Sequence, residues 1–392
     1  MDLSIPEDLK MIQTLARDFV QDQLLPLEKE ILGRDSDLAG GRRNLPAEKL
    51  SQLVAFARET GLWGTGVPEE FGGSGLGVLA TCLVEEELAK TIIPFSCGNV
   101  TPLLFECNTA QRDKYLTPVV AGLRNPGIAL IEPDADPDPA VLRMQAKKGE
   151  NGYLLNGEKL VFSGGQPCDF ALVFAVTDPD KNIRAGVTCF LVDNGTAGFS
   201  QAIIQSDEGW RAQTVAPVRL IFKDCWIGVD HILGRENQAF ALGRQWLTTR
   251  RVVHGARCVG AATRLLDKVV EHVKSWNSFN QPVSIWPSVR TALAEMEIDI
   301  QAARWLVYRA ASLADNRAEF ATAAAEVKVF STEMLKRVAD RAVLIKNGPG
   351  PVAGLPLEFL CQTLLVQNIG QRALEVQKFT VAEAVLRSGR IL

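Results

Sequence analysis

The stretch from Gly127 to Gly165, GIALIEPDADPDPAVLRMQAKKGENGYLLNGEKLVFSGG, gathers residue types that suit contact with a flat ligand. A short apolar run, Ile128 to Ile131, leads into an acidic, proline-punctuated turn from Glu132 to Pro139, and Ser163-Gly164-Gly165 closes the segment. Glycine has no Cβ, so a backbone built from it can come close to a ring system. Taken alone, such a segment is more often scaffold than site. A second group is cationic: Arg250, Arg251 and Arg257 lie close together in a stretch with helical spacing. Guanidinium forks match carboxylates and phosphates in two-point geometry, so this face reads either as salt-bridged to a neighbour or as a contact for a ligand.

The other reactive residue types point to structure rather than chemistry. Eight cysteines, Cys82, Cys97, Cys107, Cys168, Cys189, Cys225, Cys258 and Cys361, are scattered with no CxxC pair and no zinc spacing, which predicts reduced, buried thiols. His231, His254 and His272 are too far apart in sequence to form a local metal motif, so structural roles are expected.

A chain of 392 residues is long enough for two or three domains. Apolar residues make up 47% and charged residues 22%, an ordinary globular composition. The net charge of −4 offers no basic footprint for nucleic acid or an anionic membrane. No apolar run approaches the ~18 residues that a membrane span needs, and the N-terminus lacks a basic-then-apolar signal. A cytoplasmic location is therefore the default expectation.

Three kinds of periodicity follow one another along the chain. From Pro6 to about Ala121 helical spacing dominates, with Leu9, Ile12, Leu15, Phe19 and Leu24 on one stripe. A glycine-rich loop, Trp63 to Gly75, interrupts it. Short β-like runs then extend to Phe222, and Asn156-Gly157 between two of them predicts a two-residue hairpin turn. Beyond Ala239 the helices are long. Val259, Ala262, Leu266, Val269 and Val273 form one buried stripe, and Val289, Leu293, Met296, Ile300, Ala303 and Val307 form another, with Pro282 and Pro287 as breakers between them. Further helices are expected over Ala323 to Val343 and from about Gln371 to Leu386. The expected fold is α+β: an N-terminal α-helical domain over 1–124, a middle β-barrel-like domain over 125–236, and a C-terminal four-helix domain over 237–392 built as a long-helix bundle.

This order, together with four local patterns, resembles the flavin-dependent acyl-CoA dehydrogenase family over essentially the whole chain. Val67-Pro-Glu-Glu-Phe-Gly-Gly73 is similar to the family's helical-domain loop, and Ala129-Leu-Ile-Glu-Pro-Asp134 to its flavin-contacting turn. Tyr153-Leu-Leu-Asn-Gly-Glu-Lys159 with Phe162-Ser163 is similar to its G-x-K-x-W-I-T strand. Val218-Arg-Leu-Ile-Phe-Lys-Asp224 with Ile232-Leu-Gly234 is similar to the exit from its β domain. The resemblance implies FAD as cofactor, an acyl-CoA substrate, electron-transfer flavoprotein as acceptor and a dimer-of-dimers assembly. It implies cofactor contacts at Leu130, Ile131, Phe162, Ser163 and Phe279, and a substrate contact at Arg251, reaching the CoA or carbonyl end of a ligand. A carboxylate base should remove the α-proton while the flavin takes the β-hydride.

The base is where this chain departs from the family. The family's usual Glu corresponds to Gln371, and on the alternative helix the residue before Arg251 is Arg250, so neither position holds a carboxylate. Glu375, four residues beyond Gln371, shares a helix face with it and is a minor candidate. The arginine that reaches a neighbouring subunit's FAD pyrophosphate corresponds to Trp276, the glutamine and first glycine of the glycine motif to Leu344 and Asn347, and Asp136-Pro137-Asp138 replaces a G-S-D step. Charge-assisted contacts are worth roughly 1.5–3 kcal/mol each, so these changes predict weak FAD binding by this chain alone. Three functions are consistent with that pattern: a subunit of a heteromeric acyl-CoA dehydrogenase whose sister chain supplies the base and the arginine, a flavoenzyme of the same fold with different chemistry such as elimination or monooxygenation, and a flavin-free acyl-CoA-binding protein.

Overall fold

The computed structural model describes residues 5–33, 45–98, 100–133, 142–161, 167–181, 185–204, 218–278, 280–346, 360–361, 364 and 374–387. The chain opens with α1 (Glu7–Phe19), which passes through a widened turn, Val20–Leu24, into α2 (Leu25–Gly33). Helices α3 (Ala47–Glu59) and α4 (Gly77–Leu88) and the short α5 (Thr109–Gln111) and α6 (Thr117–Val120) complete the first part. The N-terminus of α4 is capped from a distance: both carboxylate oxygens of Asp315 accept from it, Oδ1 from Val78 N at 2.6 Å and Oδ2 from Leu79 N at 2.9 Å.

The middle of the chain forms an eight-stranded sheet from β1 (Pro126–Ala129), β2 (Gln145–Lys148), β3 (Gly152–Val161), β4 (Phe170–Val176), β5 (Val187–Asp193), β6 (Phe199–Ile203), β7 (Val218–Gly228) and β8 (Ile232–Leu233). Along the main path the order is β6-β7-β3-β2-β4-β5-β8, with β1 parallel to β4 off that path. An antiparallel bridge from Ile131 to Leu160 joins the end of β1 back to β3. The pairings β3–β2, β2–β4, β4–β1 and this bridge therefore close a ring, which is the barrel-like character expected of this domain.

Asn156-Gly157 is not the hairpin turn that the sequence suggested. β3 runs straight through it, pairing with β7 on both sides, and the register shifts between Leu155 and Gly157 as a β-bulge with Gly157 at φ +142°. A bulge needs the same positive-φ tolerance as a tight turn, so the local signal was ambiguous. The reversal between β2 and β3 lies earlier, where Gly149 N donates to Gly152 O.

The C-terminal part consists of α7 (Ala239–Ser275), α8 (Pro287–Asp315), α9 (Ala321–Lys346) and α10 (Leu374–Arg387), with a small β9 (Asn277–Ser278) and β10 (Gln281–Pro282) ribbon before α8. The expected stripes are the ones that pack: Val259, Ala262, Val269 and Val273 of α7 and Val289, Met296, Ile300, Ala303 and Val307 of α8 are buried in one cluster with α4 and α9. Two glycines of α7 let its neighbours approach. A Cβ at Gly260 would overlap the Glu86 carbonyl oxygen of α4, and one at Gly255 would overlap the Val327 side chain of α9. Among the described residues, no helix is long and apolar enough to cross a membrane. All eight cysteines are free and buried, as their scatter predicted.

Candidate active site

β1 delivers Leu130 and Ile131 to the rim of the sheet. Leu130 is half-buried against the cluster that also holds Phe174 and Leu172, while Ile131 is 42% exposed and accepts a hydrogen bond from Leu160 N at 2.7 Å. The next residue, Glu132, turns inward and fixes the rim. Its carboxylate accepts from Arg143 N at 2.8 Å, from Met144 N at 2.9 Å and from Lys159 Nζ at 2.8 Å, and Lys159 is wholly buried. Burial works to raise the Glu132 pKa, but the Lys159 charge and these hydrogen bonds outweigh it and hold the carboxyl below its usual range. An exposed apolar edge on an immobile backbone is what a flat ring requires.

Facing this part of the fold is one side of α7. Trp246, Arg250 and His254 follow at spacings of four and so share a helix face. The Arg250 guanidinium lies 5.4 Å from the Trp246 ring centroid, and Trp246 in turn packs on the cluster containing Leu130 and Phe174. Desolvation and then the charge of Arg257 lower the Arg250 pKa, although its side chain is exposed. Arg251 is half-buried, and burial lowers its pKa as well. Neither arginine has a hydrogen bond or ion pair among the described residues.

Behind Arg250, His254 and Lys328 meet across the α7–α9 contact, with Nζ to Nε2 at 2.7 Å, and the Cys258 thiol lies 3.5 Å from the same imidazole nitrogen. Burial pushes His254 well below its ordinary value, reinforced by Lys328, Arg257 and Arg250. The ring is therefore neutral, and accepting from Lys328 at Nε2 places its proton on Nδ1. Burial also brings the Lys328 ammonium down to about 8, and Arg251 and Arg250 add to the fall.

Periodicity and motif alone missed the roles of Glu85, Glu86 and Glu87 at the end of α4. All three are buried, and each anchors a different helix. Glu85 pairs with Arg257 of α7, Glu86 accepts from Arg304 Nε at 2.9 Å and Tyr308 OH at 3.0 Å on α8, and Glu87 pairs with Arg17 of α1 and Lys90. Three acids ending an otherwise apolar helix were the available signal. Glu85 is the carboxylate whose charge acts on Arg250, and it is paired with Arg257.

Of the residues implied by the sequence, Leu130 and Ile131 stand on the sheet rim and Arg251 on α7. Gln371, Phe162, Ser163 and Phe279 lie outside the described residues, as does Asn347. Glu375 is exposed on α10, Leu344 is exposed on α9, and Trp276 stacks on His272 with ring centroids 5.5 Å apart. These residues fit FAD at its ring end, through the fixed apolar edge of Leu130 and Ile131. The position from which the resemblance expects a cation to reach a neighbour's pyrophosphate offers only an indole.

A ring-closed sheet that follows one helical part and precedes another defines a class of three-part α+β architecture. Sequence comparison agrees part by part. Residues 6–123, 127–225 and 240–386 match the N-terminal, middle and C-terminal domains of acyl-CoA dehydrogenase. The chain is 30% identical to the acryloyl-CoA reductase (NADH) of Anaerotignum propionicum, covering 99% of this chain and 96% of that one. It is 29% identical to the (R)-benzylsuccinyl-CoA dehydrogenase of Thauera aromatica, over 100% and 98% of the two chains. The solved butyryl-CoA dehydrogenase of Megasphaera elsdenii superposes with a TM-score of 0.85 at 28% identity, over 98% of this chain and 100% of that one. The protein belongs to the acyl-CoA dehydrogenase family, whose members are oxidoreductases acting on a CH–CH bond.

Proposed function

We propose that this chain is a subunit of a heteromeric acyl-CoA oxidoreductase that acts on the α,β-bond of a CoA thioester with FAD, and that a sister chain of the same fold supplies the base and the pyrophosphate arginine. The observation that carries this reading is the lack of a carboxylate at both base positions: the family's usual Glu corresponds to Gln371, and on α7 the residue before Arg251 is Arg250. An amide can hydrogen-bond a thioester but cannot take its α-proton, and a guanidinium is protonated at any working pH.

When bound, the flavin supplies the hydride acceptor. The task of this chain's own residues is then positioning. Glu132 and Lys159 hold the rim on which Leu130 and Ile131 present their apolar faces, and Arg251 stands on the ligand side of α7. An apolar face on α10 favours a sister chain as partner: Val376, Phe379 and Leu386 are all exposed and lie within one side of that helix, which begins just after Gln371. Electron-transfer flavoprotein is the acceptor that the family suggests for the dehydrogenase direction. The relative from Anaerotignum propionicum is named a reductase, which is the same bond change run in reverse.

The test is purification of this chain alone and after co-expression with its sister chain. Flavin absorbance and acyl-CoA oxidation are expected only in the second preparation. Full dehydrogenation by the chain alone would sink the shared-site reading.

A further inference from the structure

Helix α8 carries apolar residues on two faces. Met296, Ile300, Ala303 and Val307 are buried in the helical core. The opposite face is exposed, yet from Thr291 to Trp305 it holds no charge: Thr291, Ala294, Ile298, Ala302 and Trp305 follow at spacings of three and four and form one stripe. The ionic residues of the same stretch, Glu295, Glu297, Asp299 and Arg304, fall to either side of it. At 1.5 Å per residue the stripe is about 21 Å long, on a helix side where charges normally sit. Its two large members are well exposed, Ile298 at 68% and Trp305 at 47%. The indole is also held in place. It stands edge-on to the buried Tyr308 ring with centroids 6.0 Å apart, and the Tyr308 hydroxyl donates to Glu86 at 3.0 Å. A fixed, exposed indole in line with an exposed isoleucine is the composition of a protein contact surface.

The order of residues along the stripe identifies what covers it. Ile298 and Trp305 are equidistant from a point between Gln301 and Ala302, and so are Ala294 and Arg309, the next residue on the same face. Two copies of α8 laid antiparallel about a two-fold axis through that point set Trp305 of each on Ile298 of the other. The same arrangement lays the long Arg309 side chain over the small Ala294, beside Glu295, so shape and charge are both complementary. A parallel pair would instead set Arg309 against Arg309. Within the chain Arg309 pairs with Glu326 at 3.2 Å and Glu295 with Arg341 at 2.9 Å, but Arg309 and Glu295 remain 62% and 51% exposed, open to a further partner at the rim. We propose that the α8 stripe is an isologous interface for a second copy of this chain, antiparallel, with Ile298 and Trp305 at its centre. The face assigned above to a sister chain lies on a different helix, α10, and the α8 contact does not depend on the acyl-CoA reading.

Sedimentation of the full-length chain, purified alone, tests the interface. Wild type is expected to be a dimer at micromolar concentration. Ile298→Glu or Trp305→Glu should raise the dissociation constant by about 30-fold or more, since a two-fold interface carries each change twice. Trp305→Ala, which adds no charge, is the second variant should a glutamate prevent folding, and it should weaken the dimer in the same direction. Oxidation of single-cysteine additions reads the register, because the eight native thiols are buried. Ala302→Cys, beside the axis, should cross-link two copies, and Thr291→Cys, ten residues or more from the axis, should not. A monomeric wild type, a dimer indifferent to these substitutions, or cross-linking by Thr291→Cys would overturn the proposal. A chain that is monomeric alone and pairs through α8 only with its sister would overturn it as well, while leaving the shared-site reading intact. Conversely, dehydrogenation by the lone chain would sink that reading and leave the α8 dimer standing.

Discussion

Nζ of Lys328 on α9 lies 2.7 Å from Nε2 of His254 on α7, and both side chains are almost wholly buried. The pair joins α7 and α9 through a hydrogen bond between a cation and a neutral ring. Because the lysine is depressed to about 8, it still carries its charge at neutral pH, at a cost to the fold. That cost makes the contact measurable.

Below pH 8 both the folded and the unfolded chain hold the Lys328 proton, and the folded state bears the full penalty of the buried charge. From pH 8 to the ordinary lysine value of 10.5 the unfolded chain keeps a proton that the folded one has released, so the contribution of Lys328 to stability rises with pH. We expect the unfolding free energy of wild type minus that of Lys328→Met to increase by roughly 1–3 kcal/mol between pH 8 and pH 10. Denaturant titrations at fixed pH would show it, and a flat difference would mean that the lysine is not buried as a cation.

His254 acts in a different window. Its folded pKa lies well below 6.5, so as pH falls through 6.5 the unfolded chain takes up a proton that the folded chain refuses. Stability assigned to this residue is complete above pH 6.5 and is lost below it. Relative to His254→Gln, wild type should lose about 1.4 kcal/mol per pH unit below pH 6, read from the same kind of titration. A difference that holds constant down to pH 5 would contradict a neutral buried imidazole.

Glu132 and Lys159 fix the sheet rim as a buried charge pair. Glu132→Gln leaves Lys159 without a counter-charge and should destabilise the protein by about 3–5 kcal/mol, whereas Glu132→Gln with Lys159→Met should recover much of the loss. The Glu132 pKa is lowered in the fold, so its stabilisation is present above the ordinary carboxylate value and disappears as pH falls through the lowered one. Thermal unfolding of the two variants against wild type decides it. A double variant as unstable as Glu132→Gln would show that the hydrogen bonds to Arg143 and Met144, rather than the charge pair, hold the turn.

Gln371 stands at the family's base position in our proposal. Gln371→Glu should then give this chain a proton acceptor, raising exchange of the thioester α-protons with D2O by roughly 10²-fold or more, as followed by NMR. If the variant shows no gain although an acyl-CoA still binds, position 371 does not face the α-carbon.

Much of the fold was legible because its signals are local and periodic. The stripes on α7 and α8 repeat at helical spacing and pack as their spacing required, and the change of period near Gly127 marks the start of the sheet. Asn156-Gly157 misled because one dipeptide satisfies both a turn and a bulge. The site was less legible for a different reason. Lys328 looks like any helix lysine until α7 brings His254 to it from 74 residues away. In the same way, the roles of Glu85, Glu86 and Glu87 emerge only when three separate helices supply their arginines. Long-range pairing of charges leaves no periodic trace, whereas the absence of a carboxylate at 250 and 371 could be read by counting along the chain.

In the shared-site proposal, this chain lacks a base for the α-proton of its thioester. The most direct measurement is α-proton exchange of butyryl-CoA in D2O, followed by NMR, with the wild-type chain alone and with its co-expressed sister chain. We expect exchange at the uncatalysed rate with the chain alone and rapid exchange with the pair. Rapid exchange by the chain alone would contradict the account.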